Sequence, residues 1–190
     1  IVKDSYAYLQ NHSALETVVY AVSQLEDDEL FNAGIGSQIQ SDGKIRMSAS
    51  LMDGESQKMS GVINIEEVKN PIQVAQVLMQ VDDRILGGSG ATNFARKHGF
   101  ESFSTEIPQR RAEYEAKLAS LGTGTVGCVK KNKNGKIAVA TSTGGKGFEI
   151  PGRISDSATV AGNYANEFCG VSLTGVGEDI VSNATEAKIV

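Results

Sequence analysis

Two rhythms of apolar spacing run along this chain, and they divide it into elements. Leu15, Val18, Val19, Val22 and Leu25 recur at helical spacing behind Ser13-Ala14-Leu15-Glu16, a capping-box pattern, and predict a helix with one buried face. Ile72, Ala75, Leu78 and Met79 repeat that spacing after Asn70-Pro71, where a capping Asn and a first-turn Pro open a second helix. Period-two runs read as strands. Ile45 to Met52 and Lys58 to Ile65 flank the Asp53-Gly54 turn and predict a hairpin. Thr125 to Lys131 and Lys136 to Thr141 flank Asn134-Gly135, a strong two-residue hairpin signal. Ile1 to Leu9 and Ala91 to His98 read as helices, the second stopped by Gly99. Near the end, a short helix over 158–165 precedes a strand, Cys169 to Leu173. A last helix follows, in which Glu178 and Asp179 suit the positive N-terminal end.

Between these parts the pattern fades. Phe100 to Gly124 is charged and poorly arranged for burial, and reads as an exposed connector over about 103–124. The acidic run Glu26-Asp27-Asp28-Glu29 reads as a solvated helix end. Gly87-Gly88-Ser89-Gly90 lacks the Gly-Lys-Ser/Thr ending of a phosphate loop and reads as a turn. Two sets of strands, each with helices, predict an α+β domain of stacked sheets between helical layers.

Composition narrows the function. With 190 residues, 40% hydrophobic and 22% charged, the chain is long enough for one domain with a sizeable core. A net charge of -5 argues against a nucleic-acid surface. No apolar run is long enough to span a bilayer. Cys128 and Cys169 sit in apolar, strand-like contexts, which fits thiols of a reducing compartment and a cytoplasmic location. Neither forms a zinc-ligand spacing with His12 or His98. Ile1 stands in place of an initiator Met, and both ends run inside apparent helices, so the sequence reads as part of a longer protein.

The candidate chemistry lies at Gly124-Thr125. No Ser is framed as Gly-x-Ser-x-Gly, and neither His accompanies an evident nucleophile. A threonine needs no histidine if it is N-terminal, because its own α-amine then serves as base. That amine has a reference pKa of about 7.7–8.0, close to working pH. An exposed connector ending in Gly124, followed at once by core strand at Thr125, is where a cut creating such a residue would fall.

The chain resembles the plant-type asparaginase and isoaspartyl aminopeptidase family of N-terminal-nucleophile hydrolases. The resemblance is carried by Leu30 to Ser37, Met52-Asp53-Gly54, Lys69-Asn70-Pro71, Gly124-Thr125-Val126-Gly127, Thr141 to Gly145, Gly152-Arg153 with Asp156-Ser157, and Thr174 to Glu178. It implies a four-layer αββα sandwich and self-cleavage between Gly124 and Thr125. An α part, 1–124, and a β part, 125–190, would result. It implies hydrolysis of L-asparagine to aspartate and ammonia, and of β-aspartyl dipeptides. Thr125 would be the nucleophile, oriented by Thr143, with Thr174 and Gly175 as the oxyanion hole. Arg153 would grip the substrate α-carboxylate, and Asp156 and Gly177 the α-amine. Asn32 would stand near the nucleophile. The carbonyls of Leu25, Glu26, Asp28, Phe31, Ala33 and Ile35 would hold Na⁺ or K⁺. No organic cofactor is implied, and the mature form would be a homodimer of cleaved αβ units.

The sequence departs from the family pattern at Ser48, where Asp is frequent, and at Leu173, before the expected oxyanion Thr. A glycosylasparaginase-like amidase is the enzymatic rival. It typically shows Asn where this chain has Gly144. A threonine endoprotease fits less well, because the Arg153 and Asp156 clamp suits a free amino-acid end. An uncleaved, inactive relative acting as a binding protein is the non-enzymatic alternative.

Overall fold

A computed structural model describes residues 1–116 and 124–189. The capping box forms as expected at the start of helix α2 (Ala14–Glu26): Ser13 Oγ accepts from the Glu16 N–H, and Glu16 accepts from the Ser13 N–H. Helix α1 (Val2–Leu9) precedes it. The first hairpin is β1 (Met47–Asp53) with β2 (Lys58–Ile65), and the second is β4 (Thr125–Lys131) with β5 (Ile137–Thr143). At the second turn Gly135 takes φ 83°, the left-handed region that Asn-Gly turns require.

The two hairpins do not form separate sheets. β1 pairs antiparallel with β5, merging them into one five-stranded sheet in the order β3-β2-β1-β5-β4. The short β3 (Ile85–Gly87) runs parallel to β2. The second sheet is only β6 (Asn163–Ala165) with β7 (Gly170–Ser172). Alternation along β1 and β5 explains this arrangement. Met47, Ala49, Leu51, Ala138 and Ala140 are buried in one core cluster with α2 and α3 (Pro71–Leu78). Met52, Ile137 and Val139 face the other way and pack with Ala165 of the small sheet. β5 is buried along its whole length, as a strand covered on both faces must be.

Several expectations are corrected. The helix over 158–165 is a single 3-10 turn, Asp156–Ala158, followed by β6, because Gly162 passes against Asp156 where a side chain would not fit. The strand begins at Gly170, and Cys169 lies in the turn before it. Helix α4 (Gly88–Lys97) starts earlier than Ala91, taking in the glycine run directly after β3. Helix α5 (Pro108–Glu115) lies in the expected connector and has no buried residue, so its exposed reading needs no correction; residues 117–123 of the expected connector lie outside the described residues. Asn70 does not cap α3 with its side chain, which instead donates to the Ser23 carbonyl and to Asp27. The cap comes from Glu26, whose Oε1 accepts from the Ile72 N–H at 3.1 Å and from Ser142 Oγ at 2.6 Å.

Glu26 is therefore no part of a solvated acidic end. It is fully buried, and burial pushes its carboxyl up to about 8. It ties α2, α3 and β5 together one residue from Thr143. Two helices, α6 (Gly177–Asn183) and α7 (Thr185–Ile189), close the chain. The result is a mixed α+β fold with helices against the large sheet and the small sheet on its other face.

Leu51, fully buried in the middle of β1, reports on this core. Leu51→Ala is expected to destabilise the fold by about 2–5 kcal/mol, the usual cost of a buried Leu-to-Ala cavity, read as a lower urea midpoint with unchanged slope.

Candidate active site

Pairing of β4 with β5 sets Thr125 directly opposite Thr143 at the sheet edge. Thr125 Oγ1 lies 3.4 Å from Thr143 Oγ1, and Thr143 Oγ1 lies 3.5 Å from the Gly124 carbonyl oxygen. The Gly145 N–H donates to Thr143 Oγ1 at 3.2 Å. With one lone pair engaged there, the Thr143 hydroxyl proton is free to be shared with the Gly124 carbonyl, polarising the bond before Thr125.

A cavity of about 140 Å³ opens beside this pair, lined by Gly124, Thr125, Thr143, Arg153, Asp156 and Gly177 among others. Arg153 Nε donates to Glu178 Oε1 at 2.7 Å, and Lys146 Nζ lies 3.3 Å from the same oxygen. The hydrogen bond from Arg153 is the main reason the Glu178 carboxyl falls to about 2. Arg153 thus pairs with Glu178 rather than with Asp156, its near neighbour in sequence. Asp156 is only 4% exposed, and burial raises its pKa despite the nearby guanidinium. Its Oδ2 and the buried Ser155 Oγ have no hydrogen-bond partner among the described residues. Buried polar atoms left open beside a cavity favour a polar ligand. A Cβ at residue 177 would come within 2.8 Å of Asp156 Oδ1 and 2.9 Å of Arg153 Nη2, so only glycine lets these two groups converge there.

The other expected residues sit as follows. Gly175 lines the cavity with φ 156°, a region largely confined to glycine, whereas Thr174 is exposed and is not among the lining residues. Asn32 lies outside this cavity. Its Oδ1 accepts from the Gln38 N–H at 3.0 Å, its Nδ2 donates to the Gly145 carbonyl, and its own carbonyl accepts from the Gly144 N–H at 2.8 Å. Asn32 thereby braces the loop that holds Thr143. Its Cβ also packs on Gly124, where a further Cβ would approach to 2.6 Å.

The segment carrying Leu25, Glu26, Asp28, Phe31, Ala33 and Ile35 folds back on itself. A Cβ on Gly34 would stand 2.2 Å from the Glu26 carbonyl, and one on Gly36 would stand 2.0 Å from the Phe31 carbonyl. Glycines at these positions let the Glu26 and Phe31 oxygens lie against the returning chain. The Leu25, Asp28 and Ala33 carbonyls already accept backbone N–H groups, each keeping a second lone pair. Ser48 Oγ accepts from the Asn64 N–H, a structural use of that departure.

The family model described as asparaginase matches residues 1–119 and 106–190. The chain belongs to the asparaginase family. It is 47% identical over 196 residues to the isoaspartyl peptidase/L-asparaginase of Synechocystis sp., covering 94% of this chain and 60% of that protein. The isoaspartyl peptidase/L-asparaginase of Nostoc sp. is 44% identical over 211 residues, covering all of this chain and 66% of the relative. A plant-type L-asparaginase of Pyrococcus furiosus is 39% identical over 194 residues, covering 90% of the chain and 63% of the relative. The chain therefore spans under two thirds of the length of these relatives. Among the described residues no helix is long and apolar enough to cross a membrane, and Cys128 and Cys169 are free and half-buried.

Sequence reading missed three polar groups around the site. Glu178 was assigned only to a helix end, although it closes the Thr174-to-Glu178 motif. Lys146 had no signal. Glu186 is fully buried, and burial, then Asp156, pushes it up to about 8 against the opposing backbone N–H groups of Leu173 and Tyr164. The folded protein holds this proton more tightly than the unfolded chain. Its stabilising contribution is full below about pH 4.5 and is lost as pH rises through about 8. Glu186→Gln is expected to lessen the fall in stability between pH 5 and 8, leaving the part due to Glu26, as measured by urea unfolding across that range.

Proposed function

We propose that the protein is a threonine amidohydrolase that cuts itself between Gly124 and Thr125, then hydrolyses L-asparagine and β-aspartyl dipeptides. The observation that carries this reading is the Thr125–Thr143 pair, placed against the Gly124 carbonyl at the mouth of a cavity holding Arg153 and Asp156. In the first step the Thr125 hydroxyl attacks the Gly124 carbonyl carbon, and the acyl group moves from nitrogen to oxygen. Water hydrolyses the ester, leaving a Gly124 carboxylate and a free Thr125 amine. That amine then takes the Thr125 hydroxyl proton as the oxygen attacks the substrate side-chain amide. The proton passes to the leaving ammonia or amino acid. A second water releases aspartate from the acyl-enzyme.

Arg153 suits the substrate α-carboxylate through the guanidinium nitrogens that remain beside its Nε bond to Glu178. Asp156 and the Gly177 carbonyl suit the α-ammonium. The Gly175 N–H and Thr174 hydroxyl would stabilise the oxyanion; the exposed Thr174 has to turn inward to do so. The Leu25, Glu26, Asp28, Phe31, Ala33 and Ile35 carbonyls would hold Na⁺ or K⁺, which would fix the segment bearing Asn32. The fuller architecture is a four-layer αββα sandwich, and the mature assembly a dimer of cleaved αβ units.

Between the amidase readings, Gly144 favours the asparaginase. A Cβ there would meet Ser37 Cβ at 2.4 Å and Asn32 Oδ1 at 2.6 Å, leaving no room for Asn. The names of the Synechocystis and Nostoc relatives agree with this reading.

Intact mass after incubation tests it. The wild-type protein is expected to separate into two pieces at Gly124/Thr125 and to release ammonia from asparagine. Thr125→Ala should do neither, and Thr143→Ala should slow the cut on the order of 100-fold, the loss typical of one catalytic hydrogen-bond donor. A wild-type chain that stays whole and inactive would favour the inactive-relative reading instead.

A further inference from the structure

A second cavity meets the first at the scissile bond. It has a volume of about 220 Å³ and is lined by Asn32, Gln38, Arg110, Gly124 and Thr125, with Leu30, Phe31 and Val126. Gly124 and Thr125 are common to both cavities. The first holds the Arg153 and Asp156 groups that suit the aspartyl part of a substrate. A molecule whose reacting carbonyl lies at Thr125 Oγ1, with its aspartyl part there, must direct its leaving group elsewhere. The second cavity offers it space on the Gly124 side, where the Thr125 nitrogen lies.

Among the described residues lining this second cavity, Arg110 carries the charge. Its side chain is 13% exposed, so its charge is largely withdrawn from water. Nε donates to the Gly36 carbonyl at 2.9 Å and Nη1 to Glu113 Oε2 at 2.9 Å. Nη2 has no acceptor among the described residues.

The helix that carries Arg110 is held by contacts with the body of the protein. Arg111 pairs with Glu106, Tyr114 Oη donates to the Ser41 carbonyl, and the Tyr114 ring stacks on Phe148. These contacts lie N-terminal to the proposed cut or on the body, and cleavage at Gly124 would break none of them.

We propose that Arg110 binds the α-carboxylate of the amino acid released from a β-aspartyl dipeptide, making the site selective for isoaspartyl substrates with a free C-terminus over asparagine. This rests on the amidohydrolase reading above and specifies its leaving-group side. Ammonia, the leaving group of asparagine, has no carboxylate and gains nothing from Arg110. A dipeptide carries a carboxylate one carbon from its leaving nitrogen, and a guanidinium binds such a group through charge-assisted hydrogen bonds. Arg110 makes no covalent contribution; it is a specificity residue, and Glu113 competes for it.

The test uses the protein at its full natural length with three substrates: L-asparagine, β-aspartyl-leucine and β-aspartyl-leucine amide. For the wild type, kcat/KM is expected to be higher for the dipeptide than for its amide by about tenfold or more, as loss of a charged hydrogen-bond partner implies. In Arg110→Gln the dipeptide-to-asparagine ratio of kcat/KM should fall by a similar factor, and the preference for acid over amide should disappear. Glu113→Gln, which removes the competing carboxylate, should raise that ratio. Ratios within one preparation cancel any loss of folded or self-cleaved enzyme. Equal rates on acid and amide in the wild type, or unchanged ratios in Arg110→Gln, would overturn the assignment while leaving the amidohydrolase reading standing. A wild type that hydrolyses none of the three overturns both.

Discussion

The register between β4 and β5 is the constraint on which the site depends. Side chains on a strand alternate between faces, so a slip of one residue would send every one to the opposite layer. In the observed register Val126 and Cys128 join the helix-side core, and Thr125 stands against Thr143. Shifted by one, Thr125 would press on the helices and an apolar Val126 would face the cavity. β5 resists such a slip because it is buried on both faces. Ala138 and Ala140 serve the helix layer, while Ile137 and Val139 serve the small sheet.

Polar anchors fix the end of β5 that apolar packing alone would leave soft. Ser142 donates to the buried Glu26, which also caps α3, so the strand end, α2 and α3 move as one. Beyond it, Asn32 holds Gly144 and Gly145, and the Gly145 N–H orients the Thr143 hydroxyl. The loop bearing Asn32 is itself packed through Gly34 and Gly36, at distances no side chain would allow. A chain of close contacts thus runs from the end of α2 to Thr143.

Charge around the cavity is divided in a way that local sequence does not reveal. Glu178 stays ionised because Arg153 and Lys146 reach it at the surface. Asp156 and Glu186 lie buried, and low polarity raises both. The Arg153 charge is partly engaged by Glu178 before any ligand arrives. Any anionic ligand in the cavity would have to share the guanidinium with Glu178.

Local sequence determined most elements and marked the Gly124-Thr125 junction. The capping box, Asn70-Pro71 and the Asn134-Gly135 turn act through neighbouring residues, and all three marked their elements, although Asn70 capped nothing with its side chain. Gly124-Thr125, Thr143, Arg153, Asp156, Gly175 and Gly177 were legible as motif residues and converge on one cavity. What only tertiary structure decided are the long-range pairings: the merger of two hairpins through β1 and β5, burial of Glu26 from an acidic run, Arg153 with Glu178, and Arg110 against Gly36. Each joins groups distant in the chain, through hydrogen bonds and burial that leave no periodic trace. The segment 158–165 was misread for the same reason: its composition allows a helix, but the approach of Gly162 to Asp156 and pairing with β7 impose a strand.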